Sequence, residues 1–140
     1  MIQVYTQSDD GINTNINTPI IFNNIAYKCC SCNRSSTPNS IVSIEDAGVY
    51  KVHFDGILSN NTTASAEIGV SLYNNNNPIV YAKSSETSEN SDDIVSLSFD
   101  TIIRVRRSCP MIDNDANLQF IITGANSLVY LANVIVENIK

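Results

Sequence analysis

Four cysteines are the residues of this chain with the most distinctive chemistry. Cys29, Cys30 and Cys32 are close neighbours, and Cys109 stands alone later in the chain. A structural zinc site needs four ligands, usually two C-x-x-C-like pairs or one such pair with two histidines. Because the chain has a single histidine, we predict no metal site and expect reduced, structural cysteines. A disulfide between Cys109 and one of the other three is the alternative.

His53 is that single histidine, so a Cys-His or Ser-His catalytic site would need it. Alternation along its strand places it beside Lys51 and Asp55 on a polar face, where a solvated or interface imidazole is expected rather than a catalytic one. The five glycines are scattered singly, and the chain has neither a G-x-S-x-G nor an H-E-x-x-H motif. The sequence therefore predicts a protein that is not an enzyme and binds no cofactor.

The run Asp113–Asn117 begins like a calcium-binding loop. An EF-hand requires a glycine where Leu118 stands and a glutamate where Gly124 stands. A solvated turn is therefore predicted in place of a calcium site. The glycosylation-like triplets within Asn60–Thr63 and Asn33–Ser35 are also interpreted as turns.

The charge balance excludes several classes of partner. Fourteen acidic and eight basic residues give a formal net charge of -6, which disfavours binding to nucleic-acid phosphates and to anionic lipids. Arg104, Arg106 and Arg107 form the only basic cluster in the sequence, and we expect it to pair with acidic groups of a neighbouring subunit. The sequence shows neither the pattern of a signal peptide nor an apolar stretch long enough to span a membrane.

Strands are the elements expected to position these residues. Short polar clusters separate runs rich in Ile, Val, Thr and Tyr, and the apolar residues do not recur at helical spacing. Apolar and polar residues alternate over Val49–Leu58, Ala66–Tyr73 and Ile94–Val105, which predicts strands with one solvated face. The cluster Asn74–Pro78 predicts a hairpin turn, since asparagine tolerates positive φ. One all-β domain of 140 residues is predicted.

The final run, Leu128–Ile139, is apolar on both faces. Strict alternation assigns one face to Leu128, Tyr130, Ala132, Val134 and Val136, and the other to Val129, Leu131, Ile135 and Ile139. A strand with two apolar faces must bury the second one. Because no helix is predicted to cover it, another subunit is the expected cover, and self-association follows from the pattern alone.

The segments Pro19–Phe22, Asp46–Phe54 and Ser127–Val136 carry a resemblance to a known family. They are similar to the first core strand, a Gly-x-Tyr-x-(apolar)-x-Phe strand and the last strand of the jelly-roll domain in the tumour necrosis factor (TNF) and complement globular-head superfamily. That domain also occurs in bacteriophage virion proteins. The resemblance implies a jelly-roll β-sandwich and a homotrimer about a threefold axis. The residues assigned to the trimer interface are Tyr130, Leu131, Asn133, Ile135 and Ile139.

The functional prediction follows from this resemblance and from the absence of convergent polar chemistry. We expect a structural protein of a virion, assembled in the host cytoplasm, namely a trimeric capsid decoration or head-fibre protein of a bacteriophage that contacts capsid or other virion proteins. The alternative is a receptor- or carbohydrate-binding module of a tail fibre or cell surface. Its binding loops would be Ser59–Thr63, Asn74–Asn77 and Ser84–Asp93.

The start of the chain is predicted to be a separate docking segment, residues 1–17, followed by the jelly-roll domain, residues 18–140. Its apolar residues stand among asparagines and aspartates, too sparsely for a core strand but suitably for pairing with a sheet edge or a capsid subunit. These residues are Ile2, Val4, Ile12 and Ile16. A frayed terminus is the alternative.

Overall fold

Strands make up the regular structure of this chain. The computed structural model describes residues 1–28, 34–35, 40–44, 46–106 and 116–139. The strands in these ranges are β1 (Ile2–Thr14), β2 (Asn24–Lys28), β3 (Arg34–Ser35), β4 (Val42–Ile44), β5 (Gly48–Asn60), β6 (Ala66–Asn74), β7 (Asn77–Ser88), β8 (Val95–Val105), β9 (Ala116–Thr123) and β10 (Ser127–Asn138). Within the same ranges, no helix is long and apolar enough to cross a membrane.

The described strands form two antiparallel sheets. Sheet I has the strand order β2-β1-β10-β5-β8, and sheet II has the order β3-β4-β9-β6-β7. Adjacent strands are often far apart in sequence, as β1 and β10 are, because the chain crosses repeatedly from one sheet to the other. This connectivity is typical of a jelly roll. The prediction of an all-β jelly-roll sandwich is confirmed.

Aromatic rings join the two sheets at the centre of the core. Phe54 of β5 stacks on Phe120 of β9 with ring centroids 5.4 Å apart, and Phe99 of β8 stacks on Phe54 at 5.3 Å. Phe22 meets Phe120 edge to face at 5.8 Å. Burial of apolar surface is the dominant favourable contribution to folding, and large rings bury more of it per residue than smaller side chains.

The alternation predicted for the long strands is found in the structure. In β5, Tyr50, Val52 and Phe54 are buried while His53 and Asp55 lie on the opposite face. β8 alternates in the same way, and its exception on the polar side, predicted from the sequence, is Ile102, which is 56% exposed. The period of two therefore fixes which face of each strand enters the core.

The predicted hairpin is also found. The turn between β6 and β7 pairs Asn74 with Asn77, and the two residues between them, Asn75 and Asn76, have φ of 51° and 68°. Positive φ at both central residues defines a type I′ turn, whose twist matches that of the flanking strands. Asparagine tolerates this conformation better than most residues, which explains the composition of the turn.

The expectation that the apolar residues of 1–17 are too sparse for a core strand is wrong. Residues 2–14 form β1, which pairs with β10 on one side and β2 on the other. Ile2 and Val4 are buried to 0% and 1% exposure in the core, so neither is available for docking. Thr6 is buried as well, so the side chains at 2, 4 and 6 all point into the core. These three residues suffice for a core strand because β1 lies between β2 and β10 rather than at the edge of sheet I. Ile12 is half-buried, and Ile16 lies beyond β1 with 39% exposure.

The segment Pro19–Phe22, expected to be the first core strand, is an extended stretch beside β9 in which Pro19 forms a bridge with Ile121. Ile20 and Phe22 are buried, as that expectation required, and Ile21 between them is 53% exposed. The first strand of the core is β1. Next to Pro19, the Ile20 amide donates to Phe120 O at 2.8 Å and the Ile122 amide donates to Thr18 O at 3.0 Å.

Candidate functional site

The face of sheet I that points away from sheet II, which we name the open face, is the candidate functional surface. Its side chains alternate with the core residues of β1, β10, β5 and β8. Three rows of residues cross these four strands. The rows are Gln3, Ile135, His53 and Asp100; Tyr5, Asn133, Asp55 and Ser98; and Gln7, Leu131, Ile57 and Ser96. On β10 and β5 these side chains are only half-buried in one chain.

A bulge changes how β10 meets the open face. The register with β5 shifts between Val129 and Leu131, and the core residue is Val129 before the bulge and Ala132 after it. Tyr130 and Leu131 therefore both lie outside the core. The assignment of Leu128 and Tyr130 to the same face as Ala132 is wrong, because one extra residue reverses the alternation.

The structure brings four of the predicted interface residues together on the open face. Tyr130, Leu131, Asn133 and Ile135 are all half-buried there, and the Gln3 side chain donates a hydrogen bond to Asn133 Oδ1 at 2.9 Å. The fifth, Ile139, follows the end of β10 and is 47% exposed. Their role in a subunit contact stays a prediction.

His53 lies on the open face between two carboxylates. Its Nδ1 is 2.5 Å from Asp100 Oδ1, and its Nε2 is 2.7 Å from Asp55 Oδ2. A carboxylate only accepts hydrogen bonds, so both ring nitrogens donate when the imidazole carries two protons. The geometry therefore favours the imidazolium form.

The electrostatics of this cluster agree with the geometry. Burial of the ring lowers the pKa of His53, but the hydrogen bonds to Asp100 and Asp55 and the charges of both carboxylates outweigh burial, so that the pKa is raised above 6.5. An imidazolium cannot take a proton from a nucleophile. This arrangement suits a polar structural or interface element better than a general base.

Asp100 is the residue of this cluster that sequence analysis missed. Alternation placed Asp100 on the polar face of β8 and His53 on the polar face of β5, but it could not give the register between the two strands. The structure pairs the two residues directly. The charge pattern could have suggested the pair, since opposite charges directly across antiparallel strands are favourable.

The loops proposed for ligand binding do not form one surface. Asn60 Nδ2 donates to Ser88 O at 2.6 Å, which places Ser59–Thr63 near the segment that follows β7. The hairpin turn lies at the opposite end of β6, where the Asn117 side chain donates to Asn75 Oδ1 at 2.9 Å. Asn60 is fully buried, and its Oδ1 accepts from the Thr62 amide. These side chains stabilise the loops themselves.

A shallow groove of about 540 Å³ lies on the outward side of sheet II. Gly69 lets its walls approach each other, since a Cβ there would lie 2.6 Å from Ser84 O and 2.8 Å from Thr123 Oγ1. Hydroxyls and two charged groups surround the groove. Its lining residues are Glu67, Ser71, Lys83, Ser84, Ser85, Thr123 and Gly124.

Several sequence predictions lie outside the described residues. They concern the cysteines Cys29, Cys30, Cys32 and Cys109, and most of the calcium-like run Asp113–Asn117. Arg107 of the basic cluster lies outside as well. In the part of the chain that the structure describes, no group of three or more His, Cys, Asp or Glu side chains is arranged to hold a metal ion.

Comparison by sequence finds no relative. No protein-family model matches the chain, and no curated protein matches it.

Comparison by fold finds several solved structures. Vertex protein P5 of phage PRD1 has a TM-score of 0.58 at 12% identity, covering 99% of this chain and 96% of that one. An Eiger TNF from S. frugiperda has a TM-score of 0.60 at 10% identity, covering 95% and 90%. Murine APRIL, crystallised at pH 8.5, has a TM-score of 0.57 at 12% identity, covering 97% and 98%. The chain has a TNF-like jelly-roll fold, as its sequence pattern suggested.

Proposed function

We propose that this chain is a non-enzymatic structural protein of a virion, a homotrimeric capsid decoration or head-fibre protein of a bacteriophage. The observation that carries the proposal is the open face, where apolar side chains of the central strand β10 are left half-exposed in a single chain. Leu131 lies opposite Ile57 of β5, whereas Ile135 lies between Gln3 and His53. An exposed apolar patch rimmed by polar residues is typical of a protein interface.

The proposed occupant of the open face is a second copy of this chain. Large apolar side chains are also exposed on the edge strand β7 of sheet II, where Val80 and Tyr81 are 68% and 90% exposed. On the edge strand β8 of sheet I, Ile102 is 56% exposed on the side that carries Asp100. An apolar edge that packs on the open face of the next copy makes a heterologous contact, and such contacts form a ring when the rotation between copies closes. The TNF-like resemblance implies that the ring has three members.

The expected pairing of the basic cluster with a neighbouring subunit stays part of this proposal. Arg104 is exposed on the same side of the edge strand β8 as Asp100, and Arg106 follows the end of that strand. Ion pairs between subunits contribute modestly to affinity but set the orientation of association.

The virion role is supported by the fold similarity to a phage vertex protein over nearly the whole of both chains. The non-enzymatic role is supported by His53, whose ring nitrogens both face carboxylates.

The experiment has two parts. Sedimentation equilibrium of the purified protein should give three times the 15.3 kDa of one chain, and a stable monomer at micromolar concentration would overturn the trimer. Mass spectrometry of purified phage particles should then find the protein at a fixed copy number that is a multiple of three. Its absence from particles made by cells that express it would overturn the virion role.

The groove on sheet II favours a second candidate, a carbohydrate- or receptor-binding module. Hydroxyl groups beside one cation and one carboxylate can hydrogen-bond to a saccharide. A glycan array with the purified protein tests this candidate, and Lys83→Ala is the variant that should lose any binding. Glu86→Ala, on the same strand but outside the groove, is the matched control. An array without specific binding removes this candidate.

A further inference from the structure

His53 is placed where a subunit contact would cover it. The ring belongs to the central row of the open face, between Ile135 of β10 and Asp100 of β8. In one chain the His53 side chain is 32% exposed, and those of Asp55 and Asp100 are 50% and 53% exposed. Water therefore still reaches all three groups before assembly, and a packed subunit would remove it.

Other charged groups surround the cluster on the strands that pack against it. On β5 the neighbour of His53 on the same face is Lys51, which pairs with Glu137 of β10, and on β8 Arg104 follows Asp100 beyond Ile102. The residues of β10 and β1 in the rows of His53 and Asp55 are uncharged at neutral pH. They are Ile135, Asn133, Gln3 and Tyr5. The charge of the cluster is therefore set at its centre by one imidazole and two carboxylates.

The protonation state of His53 becomes important when another subunit covers the cluster. With the imidazolium present the three groups carry a net charge of -1, and without its proton they carry -2, because the carboxylates are ionised at neutral pH. The free-energy cost of removing water from a charged group rises steeply with its charge. A covered cluster should therefore hold the proton of His53 more tightly than an uncovered one.

We propose that the protonated His53, held between Asp55 and Asp100, makes assembly of this protein pH-dependent, so that subunits associate in mildly acidic to neutral solution and separate as the pH rises. This inference rests on the proposed assembly through the open face. It adds a condition under which the assembly forms or dissolves.

The direction follows from proton linkage. A group whose pKa is higher in the assembled state contributes to association below the pKa of the free subunit, and the contribution is lost as the pH rises through the pKa of the assembled state. The pKa of His53 is already raised in the single chain, since its bonds to the carboxylates outweigh burial of the ring. Each further pKa unit that His53 gains when a subunit covers it weakens association about tenfold per contact at high pH.

The test is sedimentation equilibrium of the wild-type chain from pH 6 to pH 9 at constant ionic strength. We expect the association constant to fall by at least tenfold per contact across this range. The variant Asp55→Asn with Asp100→Asn removes the charges that need the proton, so its association should change little with pH. His53→Gln should associate weakly throughout, with any remaining pH dependence due to the N-terminal amine and the thiols.

The outcomes separate this inference from the proposed function. Trimers of equal strength at pH 6 and pH 9 would overturn the role of His53 and leave the assembly intact. Monomers at every pH would overturn the assembly itself. Wild-type and His53→Gln proteins with the same pH profile would assign the effect to another group and also overturn the inference.

Discussion

Phe54 and Phe120 stack with an interplanar angle of 19° across the space between the two sheets. Both are fully buried, and they belong to the strands β5 and β9, which lie near the middle of sheets I and II. The strand that carries Phe54 into the core also carries His53 and Asp55 to the open face. Packing of the rings in the core therefore positions the part of β5 that carries His53 and Asp55 on the open face.

Replacement of Phe120 by alanine should destabilise the protein by about 3–5 kcal/mol, because a large cavity is left between the sheets. Chemical denaturation monitored by circular dichroism measures the change. Glu86→Ala is the control, since this side chain is exposed on β7, and it should alter the stability by less than about 0.5 kcal/mol. Equal stability of the two variants would contradict this account of the core.

Gly124→Ala should be severely destabilising. The residue has φ of +88°, and a Cβ would lie 1.8 Å from Glu67 O, so the β9–β10 turn and the start of β6 would have to separate. The free energy of unfolding should fall by more than about 2 kcal/mol, because strain at positive φ adds to the clash of the new Cβ with the Glu67 backbone. Thermal unfolding measures it, with Glu86→Ala, at an exposed site on β7, as the control. Wild-type thermal stability of Gly124→Ala would show that the turn adapts.

The sequence predicted the strands that alternate regularly but not the places where the alternation is interrupted. β8 and β5 as far as Leu58 follow a period of two, so their core faces could be assigned from residue types alone. The bulge at Tyr130 could not, because a single extra residue leaves no mark in the composition of an apolar strand. β1 was missed for a related reason, since four polar residues from Gln7 to Asp10 separate its apolar residues and its pairing is irregular there. The register that pairs His53 with Asp100 depends on the whole fold, so it could not be established from the residue pattern of either strand.

Asn60→Ala should destabilise the end of the sandwich that holds the β5–β6 loop. The buried amide donates to Ser88 O at 2.6 Å and to Ala64 O at 3.1 Å. Ala64 O also accepts from the Thr62 hydroxyl at 2.9 Å, so the main cost is the lost bond to the buried Ser88, about 1–3 kcal/mol. Hydrogen exchange of the amides in 60–65 and 88–93 should accelerate with the fold preserved. Asn76→Ala, in the exposed hairpin turn at the other end, should not affect that exchange.

Deletion of residues 1–17 should unfold the protein rather than only detach it from particles. The deletion removes β1 from the interior of sheet I, together with the buried Ile2 and Val4, and exposes the long edge of β10. Far-ultraviolet circular dichroism and gel filtration should show an aggregated or unfolded chain. Ile16→Asp, at an exposed position after β1, should fold normally and provides the direct test of docking by this segment. A folded, trimeric deletion variant would restore the separate docking segment.

Leu131→Asp and Ile135→Asp should dissociate the trimer while each chain remains folded. Both side chains lie on the open face outside the core and are half-buried in one chain, so an aspartate there stays hydrated in the monomer. In the assembly the carboxylate would be buried without a partner, a penalty of several kcal/mol per contact. Sedimentation equilibrium measures the mass, and unfolding curves establish that the monomers are folded. Thr63→Asp, at an exposed position in the β5–β6 loop outside the rows of the open face, is the control for added charge. If Leu131→Asp and Ile135→Asp both remain trimeric, the subunit contact is made by a surface other than the open face.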